Sequence, residues 1–226
     1  LNSDTNVTSE WLEKLIHCAE SADNIGTITP FSNNAEICSF PNFCEDNKLS
    51  DSTDIEKINK AIEAAAVPLY PDIPTAVGFC MYIKRSLLDS IGSFDAETFR
   101  LGYGEENDFC RRAVNAGWRN VLCDDTFIAH VGSSSFTTTK QELAAENLQK
   151  LLGKHPDYQQ VVSTFIQADP IKPIRQLAQS YLALRGERKN APGILHIMHG
   201  SGGGTEQHIR NLMQGSSLGK PTIETL

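Results

Sequence analysis

Three acidic side chains stand close together near the middle of the chain, directly behind a glycine-tyrosine-glycine stretch. Glu105, Glu106 and Asp108 open a segment with helical periodicity, GEENDFCRRAVNAGW. Acids are favoured in the first turn of a helix, and Asp108 could pair with Arg112 one turn later. Adjacent helical side chains point about 100° apart, so Glu105 and Glu106 cannot serve the same surface purpose. A catalytic base is therefore an alternative to an ordinary helix start.

The segments around this acidic helix alternate between helical and strand patterns, which predicts a mixed α/β fold. A loop over residues 31–52 is rich in Asn, Ser and Asp, and long loops of this kind often carry function. Thr53 and Glu56 form a capping box before one of the helices, whereas Thr8 or Ser9 would cap the first. The predicted elements before residue 138 are helices over 11–19, 55–66, 85–91 and 105–116, and strands over 25–30, 75–83, about 121 and 127–130.

A second pattern begins after residue 138. Three helical stretches follow one another without a strand between them, and a strand, a glycine loop and a helix are predicted from residue 191 onward. We therefore divide the chain into an α/β part over residues 1–138, a helical extension or linker over 139–190, and the start of another domain over 191–226.

Composition excludes several classes of protein. The chain has 226 residues, 40% of them hydrophobic, and a net charge of -8, with Lys and Arg scattered, which argues against a nucleic-acid surface. No apolar run approaches the roughly 20 residues of a transmembrane helix. The six cysteines form no C-x-x-C pair, so reduced thiols in a cytoplasmic protein are expected.

The stretches LNSDTNVTSEWLEKL, IGTITPFSNNAEICSFP and VGFCMYIKRSLLDSIGSFDAETFRLGYGEENDFCRRAVNAGWRNVLCDDTFIAHVGSSSF occur in this order over residues 1–136. Together they resemble the second half of the catalytic domain of family 2 glycosyltransferases. The resemblance implies a partial GT-A fold, a Rossmann-like mixed sheet with flanking helices. It also implies transfer of a sugar from a nucleotide-sugar donor.

The resemblance also implies a divalent metal site, for Mn or Mg. Asn2-Ser3-Asp4 falls where the family has a D-x-D element, so Asp4 would be the carboxylate ligand, and Asn2 would offer only a neutral oxygen. A register using Asp4 and Asn6 stays open, as does a simple Asx turn at Asp4. His130 stands where relatives carry a histidine that can join the metal site, although a structural histidine is the alternative.

The acidic helix would supply the base that takes the proton from the acceptor hydroxyl. The resemblance implies this role for Glu106, with Glu105 positioning the acceptor or the base. Asp108 would complete the acceptor site or pair with Arg112. Tyr103 and Trp118 are candidate sugar platforms, although we prefer the core for Trp118, and Gly104 would let substrate approach the backbone.

The stretch ILHIMHGSGGGTEQHIRNLM resembles the opening strand, glycine loop and helix of a GT-B glycosyltransferase such as those of family 4. A glycine loop before a helix can bring backbone amides to a phosphate or sugar, which would involve Gly202, Gly203 and Gly204. We expect the chain to be an internal fragment whose first GT-A half, with much of the donor pocket, lies upstream. Such a fragment is expected to be inactive alone.

The resulting hypothesis is a metal-dependent, inverting glycosyltransferase that acts on a glycan or lipid-linked acceptor in cell-surface polysaccharide synthesis. We expect it in the cytoplasm, with peripheral association at the inner face of the membrane left open. A catalytically silent carbohydrate-binding or scaffold domain is one alternative. A metal-dependent hydrolase that uses the same acids is another.

Overall fold

The computed structural model describes residues 1–99, 104–131 and 138–187. In these ranges the chain is mixed α/β, as predicted, with one mixed three-stranded sheet and one antiparallel two-stranded sheet. The five strands are β1 (Thr5–Asn6), β2 (Ile25–Phe31), β3 (Tyr82–Ile83), β4 (Arg119–Phe127) and β5 (Ala129–His130). The seven helices are α1 (Trp11–Glu20), α2 (Ile55–Ala65), α3 (Arg85–Ile91), α4 (Glu105–Asn115), α5 (Thr138–Lys154), α6 (Tyr158–Ala168) and α7 (Lys172–Glu187).

The central strand is β2, which runs parallel to β4 on one side and antiparallel to β3 on the other. All seven of its residues are buried, as expected for a strand covered on both faces. Within this sheet the Thr27 hydroxyl donates to Asn120 Oδ1 at 2.7 Å, which satisfies a polar pair in the core. Helices α1 and α2 pack on β4. Because β2 and β4 are parallel, their carboxyl ends lie at the same edge of the sheet.

A second, two-stranded sheet is formed by β1 and β5. They run antiparallel, with Thr5 opposite His130 and Asn6 opposite Ala129. Because β5 follows β4 after one residue, this pairing brings the first residues of the chain to the carboxyl edge of the larger sheet. The two short strands thus position two of the predicted site residues.

The predicted strand over residues 75–83 is wrong except for Tyr82 and Ile83. Before β3 the chain bonds to side chains instead of a neighbouring strand. Ala76 N donates to Cys110 Sγ at 3.2 Å, and Val77 N donates to the Thr29 hydroxyl at 3.1 Å. This segment crosses the end of β2 as an irregular connection, because the amides of Ala76 and Val77 bond to side chains of other elements and not to a strand.

Two of the predicted helix caps are also wrong. Asp54 caps α2 and accepts from Lys57 N at 3.1 Å, whereas Thr53 Oγ1 accepts from Ser50 N. At α1 the N-cap is Glu10, in a left-handed conformation with φ 58°, and no side chain among the described residues caps it. The Thr8 hydroxyl donates instead to Phe127 O at 2.6 Å. The hydroxyls of Thr53 and Thr8, which were expected to cap the two helices, thus bond to other groups.

The three consecutive helices predicted after residue 138 are present as α5, α6 and α7, with no strand between them in the described residues. Leu1–Tyr181 form one compact unit, so α5, α6 and most of α7 belong to the same unit as the sheets. A second unit begins at Leu182. The strand, glycine loop and helix predicted from residue 191, with Gly202, Gly203 and Gly204, lie outside the described residues.

Candidate active site

The acidic cluster lies in the first turn of α4, as predicted. The N-cap of α4 is Gly104, whose φ of 128° is a conformation that side-chain-bearing residues rarely adopt. A Cβ at this position would stand 3.1 Å from the Phe99 ring, so glycine is required for both backbone and space. Tyr103 lies outside the described residues. Gly104 thus fixes where the acidic turn begins.

The three acids of this turn have different surroundings. Asp108 is fully buried, and its Oδ2 accepts from Arg112 Nε at 2.8 Å. Its Oδ1 lies 2.7 Å from Lys154 Nζ and 3.0 Å from His155 Nε2. The expected pair with Arg112 is present, but it is a buried network and not a surface pair. This placement gives Asp108 a structural role and leaves Glu105 and Glu106 as the acids that approach solvent.

Glu106 is half-buried beside an exposed glycine. A Cβ built on Gly78 would lie 3.8 Å from Glu106 Oε1, so the carboxylate borders the irregular connection that crosses the end of β2. Burial raises the pKa of Glu106, and the neighbouring charge of Glu105 raises it further. A helix N-terminus favours the ionised carboxylate and so acts in the opposite direction. Backbone hydrogen bonds do lower its pKa, but burial outweighs them.

Glu105 is the second half-buried acid of the turn. Its Oε2 is buried and has no hydrogen-bond partner among the described residues. A buried carboxylate oxygen without a donor is costly, and a bound hydroxyl group would satisfy it. This orphaned oxygen fits the predicted role of Glu105 in positioning an acceptor.

Sequence reasoning missed three residues near this turn. Tyr158, at the start of α6, has its pKa raised by burial and by the negative charges of Glu36 and Glu106. Arg111 is 7% exposed; its Nη2 pairs with Asp157 Oδ2 at 2.6 Å, and its Nε has no partner among the described residues. Glu36 is the third residue; the sequence predicts a functional role for its loop over residues 31–52 but does not single out Glu36. Nothing in the sequence indicated that α6 would reach this site.

Asp4 and His130 meet through the pairing of β1 with β5. Asp4 Oδ2 lies 3.5 Å from His130 Nε2. His130 Nδ1 lies 2.8 Å from Asn34 O, and a carbonyl oxygen only accepts, so Nδ1 carries a hydrogen. In the neutral ring Nε2 then presents its lone pair towards the Asp4 carboxylate. Two acceptors facing each other in this way call for a proton or a metal ion between them.

The backbone and ring of His130 are held from two further directions. The Asn33 side chain donates to His130 O at 3.0 Å and accepts from His130 N at 2.8 Å. The Phe79 ring stacks on the imidazole, with centroids 5.3 Å apart. Asn33 thus holds the backbone of His130, and Phe79 packs against its imidazole.

Asn2 and Asn6, the two neutral candidates, are both exposed. Asn2 N donates to Phe79 O at 2.7 Å, and Asn2 O accepts from the Thr5 hydroxyl. The described residues contain no group of three or more His, Cys, Asp and Glu side chains that could hold a metal ion. The donor set therefore fits a divalent ion only as an open site, with Asp4 and His130 as protein ligands and ligand or water oxygens in the remaining positions.

The two parts of the site are joined by consecutive residues. Gly78 borders the Glu106 carboxylate, whereas Phe79 contacts both His130 and Asn2. The Glu106 carboxylate and the Asp4–His130 pair therefore both border this short connection, near the carboxyl end of β2. Ligands of open α/β sheets bind outside the carboxyl ends of strands.

Trp118, a candidate sugar platform, packs partly buried against the cluster of Leu87, Phe109 and Ala113. A Cβ built on Gly26 would lie 3.2 Å from the Trp118 Cβ and 3.4 Å from the ring atom Cε3, so the indole lies against the start of β2. This is the core position that the sequence favoured for it. Trp118 therefore lies in the core, against Phe109 and Ala113 of α4.

No protein-family model matches this sequence, and a search of curated proteins gives no match either. In the described residues no helix is both long and apolar enough to cross a membrane.

Proposed function

We propose that this chain is part of a metal-dependent glycosyltransferase that resembles family 2 enzymes with a GT-A fold. The proposed reaction moves a sugar from a nucleotide-sugar donor to a hydroxyl of a glycan or lipid-linked acceptor. The observation that carries the proposal is the Asp4–His130 pair at the edge where Gly78 borders Glu106. Asp4, His130 and Glu106 come from distant parts of the sequence, and their proximity to the same short connection supports the proposal.

The donor's diphosphate leaves as an anion, so the developing negative charge has to be offset. Asp4 and His130 would hold a divalent ion, Mn or Mg, which supplies that electrostatic stabilisation when bound. The hydrogen bond from His130 Nδ1 to Asn34 O keeps the Nε2 lone pair turned towards Asp4, which favours this role. Asn2 adds at most a neutral oxygen. This leaves open positions for diphosphate oxygens.

Glu106 is the proposed base. Its carboxylate takes the proton from the acceptor hydroxyl as that oxygen attacks the anomeric carbon. The bond from that carbon to the diphosphate breaks, and a single displacement of this kind inverts the configuration. The raised pKa of Glu106 makes it a stronger base than an exposed glutamate. Glu105 would orient the acceptor through its unpartnered Oε2.

At the level of the whole polypeptide, we propose synthesis of a cell-surface polysaccharide in the cytoplasm, with residues 191–226 beginning a GT-B-like second transferase. We place the GT-A part over residues 1–138 and treat 139–190 as an extension of it. Gly202, Gly203 and Gly204 would form the phosphate-approaching loop of the second domain.

The deciding experiment compares wild type with Glu106→Gln in the longest natural polypeptide that contains this sequence. Donor consumption is measured with Mn and a panel of nucleotide-sugars, and donor binding is measured in parallel. Turnover should fall by about a hundredfold or more in the variant while donor binding persists. Glu13→Gln, an exposed acid in the first turn of α1, is the matched control and should keep full activity.

Equal turnover in wild type and Glu106→Gln would show that Glu106 is not the base. A second candidate function is a catalytically silent carbohydrate-binding domain, and the neutral Asn2 beside Asp4 favours it. Such a domain would bind free glycan without metal and consume no donor. A transferase would bind the nucleotide-sugar only with the divalent ion.

A further inference from the structure

A polar cleft of about 280 Å³ lies between the loop segment 41–45 and the first two turns of α7. Polar side chains make up most of its lining, among them Asn42, Lys172, Gln176 and Gln179. Gln179 Nε2 donates to Pro41 O at 3.1 Å, so loop and helix are tied together across it. The cleft shares no residue with the candidate active site.

The cleft contains one buried cation whose hydrogen bonds are incomplete. Arg175 lines it and is only 5% exposed. Its guanidinium lies over the Phe43 ring, 4.4 Å from the centroid, and its Nη2 pairs with Asp169 Oδ2. Its Nη1 is buried and has no hydrogen-bond partner among the described residues. A buried donor without an acceptor costs free energy unless a ligand supplies one.

The surroundings of Arg175 favour a ligand rich in acceptor oxygens. The first turn of α7, which the structure describes in full, has no acidic side chain of its own, and the carboxylate of Asp169, three residues before the helix, is paired with Arg175. Lys172 stands at that end, and three amide side chains add further N–H donors. Glu45 is the one acidic side chain among the lining residues that the structure describes, and it is exposed.

We propose that this cleft binds a carboxylate or phosphate group of a small polar ligand, with Arg175 as the buried donor and Lys172 as the outer cation. Guanidinium groups match the planar geometry of such oxyanions, and helix N-termini bind them through the positive end of the dipole. The proposal goes beyond glycosyl transfer and does not depend on it.

The test is an NMR titration of the full chain with sodium phosphate and, separately, sodium acetate, each against sodium chloride at equal ionic strength. Amide shifts should be confined to the loop segment 41–45 and the start of α7. Lys172→Gln should weaken binding about threefold and Glu45→Gln should strengthen it about threefold, since each changes one exposed charge. Lys60→Gln, exposed on α2, is the control and should leave the affinity unchanged.

Comparison of the phosphate and acetate affinities shows which oxyanion the cleft prefers, and binding of either one supports the proposal. Shifts that chloride reproduces, or shifts spread over other surfaces, would overturn it. So would charge variants that bind like wild type. Both variants change exposed side chains, so the outcome does not depend on whether a substitution of buried Arg175 folds.

Discussion

Asp108 Oδ1 lies 3.0 Å from His155 Nε2, which joins the first turn of α4 to the segment between α5 and α6. The same oxygen lies 2.7 Å from Lys154 Nζ, and Oδ2 accepts from Arg112 Nε. Burial alone would raise the pKa of Asp108, but the hydrogen bonds from Lys154, Arg112 and His155 outweigh it and lower the pKa. The carboxylate is therefore charged at neutral pH and fully compensated.

Asp108→Asn should lower the free energy of unfolding by about 3 kcal/mol at pH 7, because it leaves the facing cations without their counter-charge. Urea denaturation followed by circular dichroism measures this. The carboxylate's contribution is present above the unfolded pKa of about 4 and is lost as pH falls further, so the difference from wild type should shrink below that pH. Asp89→Asn, exposed on α3, should change little. Equal stability of the two variants would contradict a structural role for Asp108.

Asp124 is a buried acid of the opposite kind. Leu69 N donates to its Oδ2 at 3.3 Å, whereas its Oδ1 has no partner among the described residues. Burial raises its pKa to about 6. The folded protein therefore holds this proton more tightly than the unfolded chain, and the contribution of Asp124 to the free energy of unfolding falls as pH rises from about 4 to above 6.

Asp124→Asn should therefore stabilise the protein by about 2 kcal/mol at pH 8, and the gain should vanish near pH 4. Urea denaturation at a series of pH values checks both ends of this range. Asp89→Asn again serves as the control, with no comparable pH dependence expected. A gain that stayed constant with pH would exclude the buried charge as its cause.

Two glycines allow a matched comparison. Gly104→Ala should destabilise the protein by about 1–2 kcal/mol or more, because φ is 128° and the new Cβ would lie 3.1 Å from Phe99. Gly153 lies inside α5, and a Cβ there meets nothing within 4 Å. Gly153→Ala should stabilise by up to about 1 kcal/mol through helix propensity. Thermal unfolding of the two variants should shift in opposite directions, and a shift in the same direction would refute the comparison.

The proposed metal site can be tested without an activity assay. Titration of Mn into the chain, followed by electron paramagnetic resonance of the free ion, gives its affinity. His130→Gln and Asp4→Asn should each weaken Mn binding by about tenfold or more. Replacing even a residue that only orients a metal ligand lowers metal affinity by this much. His17→Gln, exposed on α1, should bind like wild type. Unchanged affinity in both site variants would remove the metal from the proposal.

Much of the fold was predictable because its elements have strong local patterns. The helical periodicity identified α1 to α4 and the three later helices, and α3 ends at Ile91, where the predicted helix over residues 85–91 also ends. The prediction failed where tertiary partners outweighed local preference. The Thr8 hydroxyl donates to Phe127 O instead of capping α1. The segment before Tyr82 bonds to the side chains of Cys110 and Thr29 instead of continuing as a strand.

The residues of the candidate site came in part from the family resemblance and not from local patterns. The resemblance named Asp4, His130 and Glu106, and the β1–β5 pairing brings Asp4 and His130 together. Glu36 and Tyr158 were missed because their approach to α4 depends on how a long loop and α6 pack, which no local pattern encodes. The full burial of Asp108 was missed because its partners Lys154 and His155 lie in another part of the sequence.

The network around Asp108 also has a consequence for how sequences of this kind can diverge. Lys154 contacts both Asp95 and Asp108, and His155 contacts Asp108. A change of charge at any one of these positions leaves a buried or half-buried group uncompensated. Homologous sequences should therefore change these four positions together, so that the acidic turn of α4 and the end of α5 form one unit of covariation.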